Sequence, residues 1–274
     1  MNKNFSKSDN NKFDPKLLRR NIIYMAYRGG SVHIACAFSI VEIVSVLYSS
    51  FLNFNPNNPN DPDRDYFILS KGHGVMALYA AFRQLGWISQ YDLDMYFSEG
   101  SKLHGLCESH VPGLEVTSGS LGHGLPIAVG IAFGYKMRDQ LERKVYCVVG
   151  DGEMNEGSMW EAMMFAEHYQ LSNLVVIVDA NGFQAMGETK DVINMEPIAE
   201  KFRSFGFSTI ECDGHNLEEL SAGLTRLSSE QGRPKAIIAR TIKGKGISFM
   251  EGNNIWHYTR LNDEWYEKAM NELG

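Results

Sequence analysis

Two short apolar runs decide the fold: residues 145–152 read VYCVVGDG, and residues 174–182 read LVVIVDANG. Each run is unbroken and rich in β-branched residues, which is typical of a strand buried on both faces of a sheet. Between the two runs, Ser158–Tyr169 has apolar residues at helical spacing. A strand, a crossover helix and a second strand predict parallel strands, so we expect Asp151 and Asn181 at one edge of adjacent or near-adjacent strands.

The same alternation of strand and helix extends along the chain. The predicted strands are Tyr66–Leu69, Val145–Val149, Leu174–Val178, Phe207–Glu211 and Ala236–Ala239. The predicted helices are Leu17–Tyr27, Ser39–Leu52, His73–Leu85, Ser158–Tyr169, Ile198–Phe205 and Leu217–Leu227, with a last helix near the C-terminus. We therefore expect an α/β fold, a parallel sheet flanked by helices. It forms a single domain over residues 16–274 with an irregular stretch at 243–261, preceded by a flexible polar segment at 1–15.

The composition excludes several classes of protein. A net charge of −7 argues against a nucleic-acid partner. The apolar runs are far shorter than the roughly 18 residues that a membrane helix needs, which argues against a membrane partner. The four cysteines have no CxxC spacing, which predicts free thiols rather than a disulfide framework or a zinc site. We therefore expect a cytoplasmic protein.

Polar side chains follow the two central strands directly. The carboxylate of Asp151 and the amide oxygen of Asn181 are ligands suited to Mg²⁺ or Ca²⁺, and such an ion usually also takes phosphate oxygens. Gly152 lets a phosphate approach the backbone closely, and the next helix offers the positive end of its dipole. The motif Gly-Asp-Gly alone is more often a turn, so the prediction depends on Asn181 at the end of the next strand.

Further segments extend this pattern over most of the chain. They are LSKGHG at 69–74, GSLGHG at 119–124, GDGEMNEG at 150–157, DGH at 213–215, and TIKGKG at 241–246 with Trp256-His257. Together they resemble the transketolase group of thiamine diphosphate enzymes, above all the N-terminal subunits of split transketolases. The resemblance implies the thiamine diphosphate-binding fold, in the form of its diphosphate-binding domain, with thiamine diphosphate and Mg²⁺ as cofactors and Ca²⁺ as a substitute for Mg²⁺.

The resemblance also implies roles for individual residues. The metal ligands would be the side chains of Asp151 and Asn181 and the backbone oxygen of Phe183, and the catalytic histidines would be His33 and His110. The cofactor-binding residues would be His73, Gly119, Leu121, Gly150, Gly152, Glu153, Asn181 and His257. Glu156 and Glu161 would lie at a subunit interface, although a solvated acidic helix face is an equally good interpretation of their spacing.

Other positions have less decided roles. His104 would contact His110 and support it without touching the substrate itself. Glu115 and Asp179 are candidates to support the site. His168 and His215 are more simply interpreted as structural or surface histidines. Cys36 and Phe38 stand where the family has smaller residues, which predicts an altered substrate channel, and His123 replaces the usual Gln.

The resemblance implies a two-component transketolase, in which this subunit transfers a two-carbon ketol unit from a ketose or ketose phosphate to an aldose. A C-terminal partner subunit with the pyrimidine-binding domain would complete the active site in an α2β2 assembly. Two alternatives remain: a related thiamine diphosphate-dependent synthase or 2-oxoacid decarboxylase subunit, and a non-catalytic assembly subunit. His33 and His110 favour a hydroxylated sugar donor, because an oxoacid lacks the hydroxyls that they would serve.

Overall fold

The computed structural model describes residues 13–274, except for the side chain of Ser31. The predicted flexible segment at 1–15 therefore lies outside the described residues up to Lys12. The first helix begins at Pro15, where the side chain of Asp14 accepts a hydrogen bond of 2.9 Å from the Lys16 amide. Proline fits the first helical position because its missing N–H would have no partner there. Phe13, just before this cap, is buried against the core.

A five-stranded parallel sheet forms the centre of the molecule, and the other strands of the described residues are short. The strands are β1 Ser31–Val32, β2 Tyr66–Leu69, β3 Val145–Gly150, β4 Leu174–Ala180, β5 Phe183–Gln184, β6 Gly187–Glu188, β7 Ser208–Asp213, β8 Lys235–Arg240 and β9 Thr259–Arg260. The central sheet has the spatial order β2-β3-β4-β8-β7, and two antiparallel ladders join β1 with β9 and β5 with β6. The all-parallel central sheet confirms the predicted fold class.

Helices cover both faces of this sheet. They are α1 Pro15–Gly29, α2 Ala35–Phe38, α3 Val41–Val46, α4 Met76–Leu85, α5 Gln90–Asp94, α6 Gly124–Lys136, α7 Gly157–His168, α8 Thr189–Val192, α9 Ile198–Ser204, α10 Leu217–Ser228 and α11 Asp263–Glu272. On β3, Val148 packs into the core layer with α1, α3, α4 and α10, whereas Cys147 and Val149 pack into the layer with α6, α7 and α9. Successive strand residues thus alternate between two buried apolar layers, one on each face of the sheet. Burial of each large apolar side chain stabilises the fold by about 1.5–3 kcal/mol.

The predicted helix Ser39–Leu52 is present over residues 41–51, as α3 followed directly by a wider π-helical turn over Leu47–Phe51. The short helix α2 before it is not among the predicted elements, and a break at Ser39 and Ile40 separates α2 from α3. The hydroxyl of Ser39 donates to the Cys36 carbonyl oxygen and also lies 2.7 Å from Asp179 Oδ2. This local side-chain bonding competes with the backbone ladder and places the break against the sheet.

Other boundaries shift by smaller amounts. The predicted helix His73–Leu85 is a 3₁₀ turn over Gly72–Gly74 followed by α4, and the predicted strands Phe207–Glu211 and Ala236–Ala239 extend to Asp213 and Arg240. Helices α5, α6 and α8 are additions to the predicted elements. The sequence of α6, GLPIAVGIAFGYK, is apolar nearly throughout, so no helical period stands out from it.

The C-terminal stretch at 243–261 is mostly turns. It contains a 3₁₀ turn over Asn254–Trp256 and the short strand β9, which pairs with β1. That ladder brings the residues before β9 next to the residues after β1. Within residues 13–274, no helix combines the length and the hydropathy that crossing a membrane requires.

Candidate active site

A cavity of about 590 Å³ opens at the carboxyl edge of the central sheet. Strands β3 and β4 are neighbours, and Gly150 lies opposite Asp179 in their parallel ladder. The loops that follow these two strands therefore enter the cavity side by side, as the sequence predicts. The predicted site residues in its lining are His33, His73, Gly119, Leu121, Gly150, Asp151, Gly152, Glu153, Glu156, Asn181, Phe183 and His257.

Asp151 and Asn181 form the polar centre of this lining. The carboxylate of Asp151 accepts hydrogen bonds from the amides of Gly152, at 2.9 Å, and Gly182, at 2.7 Å. The Asn181 side chain donates to Asp179 Oδ2 at 2.8 Å and accepts from the Phe183 amide at 3.0 Å. Burial, with a smaller contribution from the neighbouring Asp179 carboxylate, raises the pKa of Asp151 to about 7. A cation at this point would stabilise the ionised carboxylate.

The donor set fits a hard divalent ion that shares its coordination with a phosphate group. Asp151, Asn181 and the Phe183 carbonyl offer oxygen ligands, as Mg²⁺ and Ca²⁺ require. Among residues 13–274, no group of three or more His, Cys, Asp or Glu side chains is placed to hold a metal. This chain would therefore supply only some of the metal's ligands, with Asp151 as the charged one. Oxygens of a bound phosphate group would supply the others.

Two unpartnered amides in the same lining also fit an anion. The side-chain nitrogens of Asn155 and Gln184 are buried, and neither has a hydrogen-bond partner within the described part of the chain. A buried donor without a partner costs about 1–3 kcal/mol, so a ligand with acceptor oxygens would be favoured here. The Gln184 side chain also lies over Gly152, where an added Cβ would approach Gln184 Cβ to 2.8 Å.

Three histidine rings lie close together in the cavity. The ring centroid of His33 lies 5.2 Å from those of both His73 and His257, and the latter two are 5.8 Å apart. The β1–β9 ladder produces this cluster, because His33 follows β1 and His257 lies just before β9. Burial lowers the pKa of all three imidazoles, that of His257 to about 3. The rings are therefore neutral near pH 7, and each can donate one hydrogen bond and accept another.

A buried ion pair lies next to Asn181 and supports the site. Its cation, Lys71, is not among the residues predicted from the sequence. The ammonium of Lys71 pairs with the carboxylate of Asp179 and donates to the Cys36 carbonyl at 3.1 Å. Asp179 also accepts from Ser39 at 2.7 Å and from Thr241. Burial alone would raise the pKa of Asp179, but the Lys71 charge and these hydrogen bonds hold it below its usual value.

A second lysine that the predicted set lacks lies against the histidine cluster. Lys243 is buried and donates to Asn254 Oδ1 at 2.6 Å and to His257 Nδ1 at 2.8 Å. Burial lowers the pKa of Lys243 to about 8. The sequence does hold a signal for both cations, because Lys71 and Lys243 each lie inside a quoted motif, LSKGHG and TIKGKG.

The cavity thus combines a metal-type oxygen pair, unpartnered amide donors, neutral histidines and two buried ammonium groups. Residues 17–274 match the family model described as transketolase, thiamine diphosphate binding domain. The chain belongs to the transketolase family.

Relatives in this family match nearly the whole chain. It is 39% identical over 260 residues to an apulose-4-phosphate transketolase subunit of Actinobacillus succinogenes, a match that covers 94% of each chain. It is 39% identical over 245 residues to the 6-deoxy-6-sulfo-D-fructose transketolase subunit SqwG of a Clostridium species, covering 89% of each. The solved transketolase of Campylobacter jejuni superposes with a TM-score of 0.86 at 30% identity, over 95% of this chain and 42% of that one. The chain thus spans about two-fifths of that solved transketolase.

These matches identify a transketolase subunit, a transferase component that carries the thiamine diphosphate-binding domain.

In this transketolase subunit Glu153 is in the cavity lining, but its carboxylate is hydrogen-bonded to other residues of the same chain. It accepts hydrogen bonds from Ser70 Oγ at 2.5 Å and from the amides of Gly122 and Gly150 at 2.9 and 3.1 Å. Glu153 therefore ties three loops together, and its contact with the cofactor stays a prediction.

His110 is not brought into the cavity of this transketolase subunit. Its side chain is 48% exposed, with Nε2 donating to the Lys102 carbonyl at 2.9 Å and Nδ1 lying 3.2 Å from Glu108. His104 contacts the same Glu108 carboxylate at 2.8 Å. These local partners hold His110 on an exposed loop, and its catalytic role stays a prediction.

Of the remaining predicted positions, some lie in the cavity lining and others lie outside it. Glu156 borders the cavity, whereas Glu161 is exposed on α7 outside it, and their interface role stays a prediction. Cys36 lies in the cavity lining, as an altered channel requires, but Phe38 is fully buried in the core and is not in that lining. His123 is exposed just before α6.

Proposed function

We propose that this chain is the diphosphate-binding subunit of a two-component transketolase that moves a two-carbon ketol unit from a ketose or ketose phosphate to an aldose. The observation that carries the proposal is the placement of Asp151 and Asn181 directly after two adjacent parallel strands, in one cavity with three neutral histidines. This arrangement suits a metal-bound diphosphate at one end and proton exchange with hydroxyl groups at the other.

Asp151, Asn181 and the Phe183 carbonyl would hold Mg²⁺, with Ca²⁺ as a substitute. His73, His257 and Lys243, together with the amides of Asn155 and Gln184, would surround the diphosphate oxygens. When bound, thiamine diphosphate supplies the nucleophilic carbon and the electron sink that two-carbon transfer needs. Gly119 and Leu121 border the cavity at the place where a flat ring would lie against backbone and an apolar side chain.

His33 is the residue of this chain best placed to handle substrate protons. It is half-buried, and its ring contacts those of His73, His257 and Tyr258. A neutral imidazole at pH 7 can accept a proton from a sugar hydroxyl and return it later in the cycle. We propose the same task for His110, which requires its loop to move toward the cavity. An oxoacid donor offers no such hydroxyl, so these histidines support a sugar donor.

We propose that a C-terminal subunit with the pyrimidine-binding domain completes the site in an α2β2 assembly. Two relatives that match over most of their length carry subunit names, whereas the solved transketolase extends well beyond the match. Helices α6 and α7 pack against each other and also expose large apolar side chains, Ile127 on α6 and Met164 and Phe165 on α7, of which Met164 is 56% exposed. Such a face is typical of a protein interface, and Glu156 and Glu161 belong to the same helix region.

We also propose a cytoplasmic location. The cysteines of this chain are free thiols, and Cys36, Cys107 and Cys147 are buried. Free buried thiols are typical of proteins from a reducing compartment.

The test compares the chain alone with the chain mixed with a pyrimidine-type subunit, which the neighbouring reading frame should encode. Calorimetry measures thiamine diphosphate binding with and without Mg²⁺, and a coupled assay compares xylulose 5-phosphate with pyruvate as donor. We expect tight Mg²⁺-dependent binding and two-carbon transfer in the mixture only. Full activity of the chain alone would contradict the two-component proposal. Turnover of pyruvate instead of the sugar would favour the decarboxylase alternative, and absence of cofactor binding in the mixture would favour an assembly role.

A further inference from the structure

Three polar side chains form a buried network outside the cavity lining. The guanidinium of Arg19 in α1 donates to both carboxylate oxygens of Glu42 in α3, at 2.7 and 3.0 Å. Glu42 Oε2 also lies 2.9 Å from Nδ1 of His215, which follows β7. The side chains of Arg19 and Glu42 are 8% exposed and that of His215 is 11% exposed, so the network is largely shielded from water.

The hydrogen bonds of His215 fix its tautomer. The backbone N–H of Ile242 lies 2.7 Å from His215 Nε2. Because a backbone N–H can only donate, Nε2 must present its lone pair. The ring proton therefore sits on Nδ1, where it is donated to Glu42. A carboxylate on one side and a backbone amide on the other select a single state of this ring.

The same network holds both ends of residues 242–245. His215 accepts from the Ile242 amide, and Arg19 Nε donates to the Lys245 carbonyl at 2.8 Å. Between these points the Gly244 amide donates to the Ala35 carbonyl at 3.0 Å. Lys243 projects from this fixed backbone into the cavity lining and donates to His257.

Gly246 shows how closely the network approaches the segment. Its φ is +95°, and a Cβ added there would lie 2.8 Å from Arg19 Nε. Both the backbone conformation and the available space therefore favour glycine at this position.

We infer that His215 is a positioning residue: by holding the Ile242 amide, it sets the position of Lys243 and, through Lys243, of His257 in the cavity. The effect on the cofactor rests on the proposed function, whereas the restraint on residues 242–245 does not. Burial alone would raise the pKa of Glu42, but hydrogen bonds from His215 and Arg19 hold it below its usual value, in keeping with a carboxylate that orients the ring. His215 therefore has a more specific role than the structural or surface one that its sequence suggests.

The experiment uses the full chain with its partner subunit, and two substitutions of the same residue. His215→Leu removes both hydrogen bonds, whereas His215→Gln keeps an acceptor for Ile242 and a donor for Glu42. Asn216→Ala is the matched control, because it removes the side-chain cap of α10, which accepts from the amides of Glu218 and Glu219, and leaves the His215 bonds in place. Hydrogen exchange at the amides of residues 242–246 and calorimetric binding of thiamine diphosphate with Mg²⁺ are measured for each variant.

We expect His215→Leu to speed exchange at residues 242–246 and to weaken cofactor binding about tenfold, the effect of one lost hydrogen bond at the site. His215→Gln should restore most of both. Asn216→Ala should lower the melting temperature without changing either measurement. In the unaltered chain, ¹⁵N shifts of the His215 ring should show the proton on Nδ1.

Unchanged exchange at residues 242–246 in His215→Leu, or a proton on Nε2, would overturn the inference. Equal losses of affinity in His215→Leu and Asn216→Ala would also overturn it, since they would show general destabilisation. If the unaltered assembly binds no cofactor, the proposed function fails instead. The exchange and ¹⁵N measurements on the chain would still decide whether His215 restrains the segment.

Discussion

The cavity floor, formed by Lys71, Asp151, Asp179 and Asn181, differs sharply from the histidine loop at residues 102–111. In the floor, Lys71 and Asp179 are 2% and 0% exposed, and both side chains have partners from distant parts of the chain. In the histidine loop, the side chains of His104 and His110 are 43% and 48% exposed and contact only neighbours along the loop. Under the proposed function, this chain therefore builds the diphosphate end of the site by itself, whereas the substrate end would depend on rearrangement of the loop or on a partner.

The largest expected effect comes from changing Asp151, the proposed metal ligand in the floor. Asp151→Asn should weaken Mg²⁺-dependent thiamine diphosphate binding by at least about 100-fold and abolish transfer, because loss of groups that merely support a ligand already costs about 10- to 100-fold. Without metal, the free energy of unfolding should change little, because removal of the buried charge is favourable whereas the Asn amide can accept only one of the two backbone hydrogen bonds that Asp151 accepts. Calorimetry and urea unfolding measure the two effects. Retained Mg²⁺-dependent binding would show that Asp151 is not a ligand.

The second prediction breaks the ion pair beneath the floor. Lys71→Met should lower the free energy of unfolding by about 3 kcal/mol, because it leaves the buried Asp179 carboxylate without its cation. The double variant Lys71→Met/Asp179→Asn should recover much of this loss, since a neutral amide needs no counter-charge. Urea unfolding at neutral pH measures both. If the double variant is less stable than the single one, the pair is not the source of the loss.

The third prediction compares the cavity with the histidine loop. In the assembled enzyme, His33→Asn should lower kcat for the sugar donor by about 100-fold, as loss of an acid–base group does, with cofactor affinity unchanged. His110→Asn should cause a smaller loss, because His110 needs a loop movement before it can reach substrate. Steady-state kinetics and calorimetry separate the two effects. An equal loss in both variants would show that the loop closes fully in the assembly.

The contrast between floor and loop also explains how far the sequence could predict this molecule. Asp151 and Asn181 were placed together correctly, because a strand, a helix and a strand in a parallel sheet leave little choice of geometry. The pairing of Lys71 with Asp179 joins residues 108 positions apart and requires the order of strands β2, β3 and β4, which no local pattern encodes.

Other differences between the sequence-based expectations and the structure have equally specific physical causes. The break at Ser39 depends on a hydrogen bond to Asp179 from a distant strand, so helical spacing alone could not reveal it. The position of His110 depends on a loop without periodicity, where local polar contacts decide the conformation. The family motifs predict a role for His110, but they do not show where the chain holds its side chain.

The smallest expected effect tests whether the floor extends to Lys243. Lys243→Met should weaken thiamine diphosphate binding about tenfold, because one buried ammonium that faces the proposed diphosphate site is lost. Burial lowers the pKa of Lys243 to about 8, so the free chain loses this charge as the pH rises above about 8, and binding of an anion then requires uptake of a proton. Cofactor affinity should therefore fall between about pH 8 and pH 10 in the unaltered assembly and stay level in Lys243→Met over the same range.

Lys245→Met is the matched control, because Lys245 is half-exposed and pairs with Glu251 away from the cavity. If both variants lose the pH dependence equally, the effect comes from general charge and Lys243 does not belong to the floor.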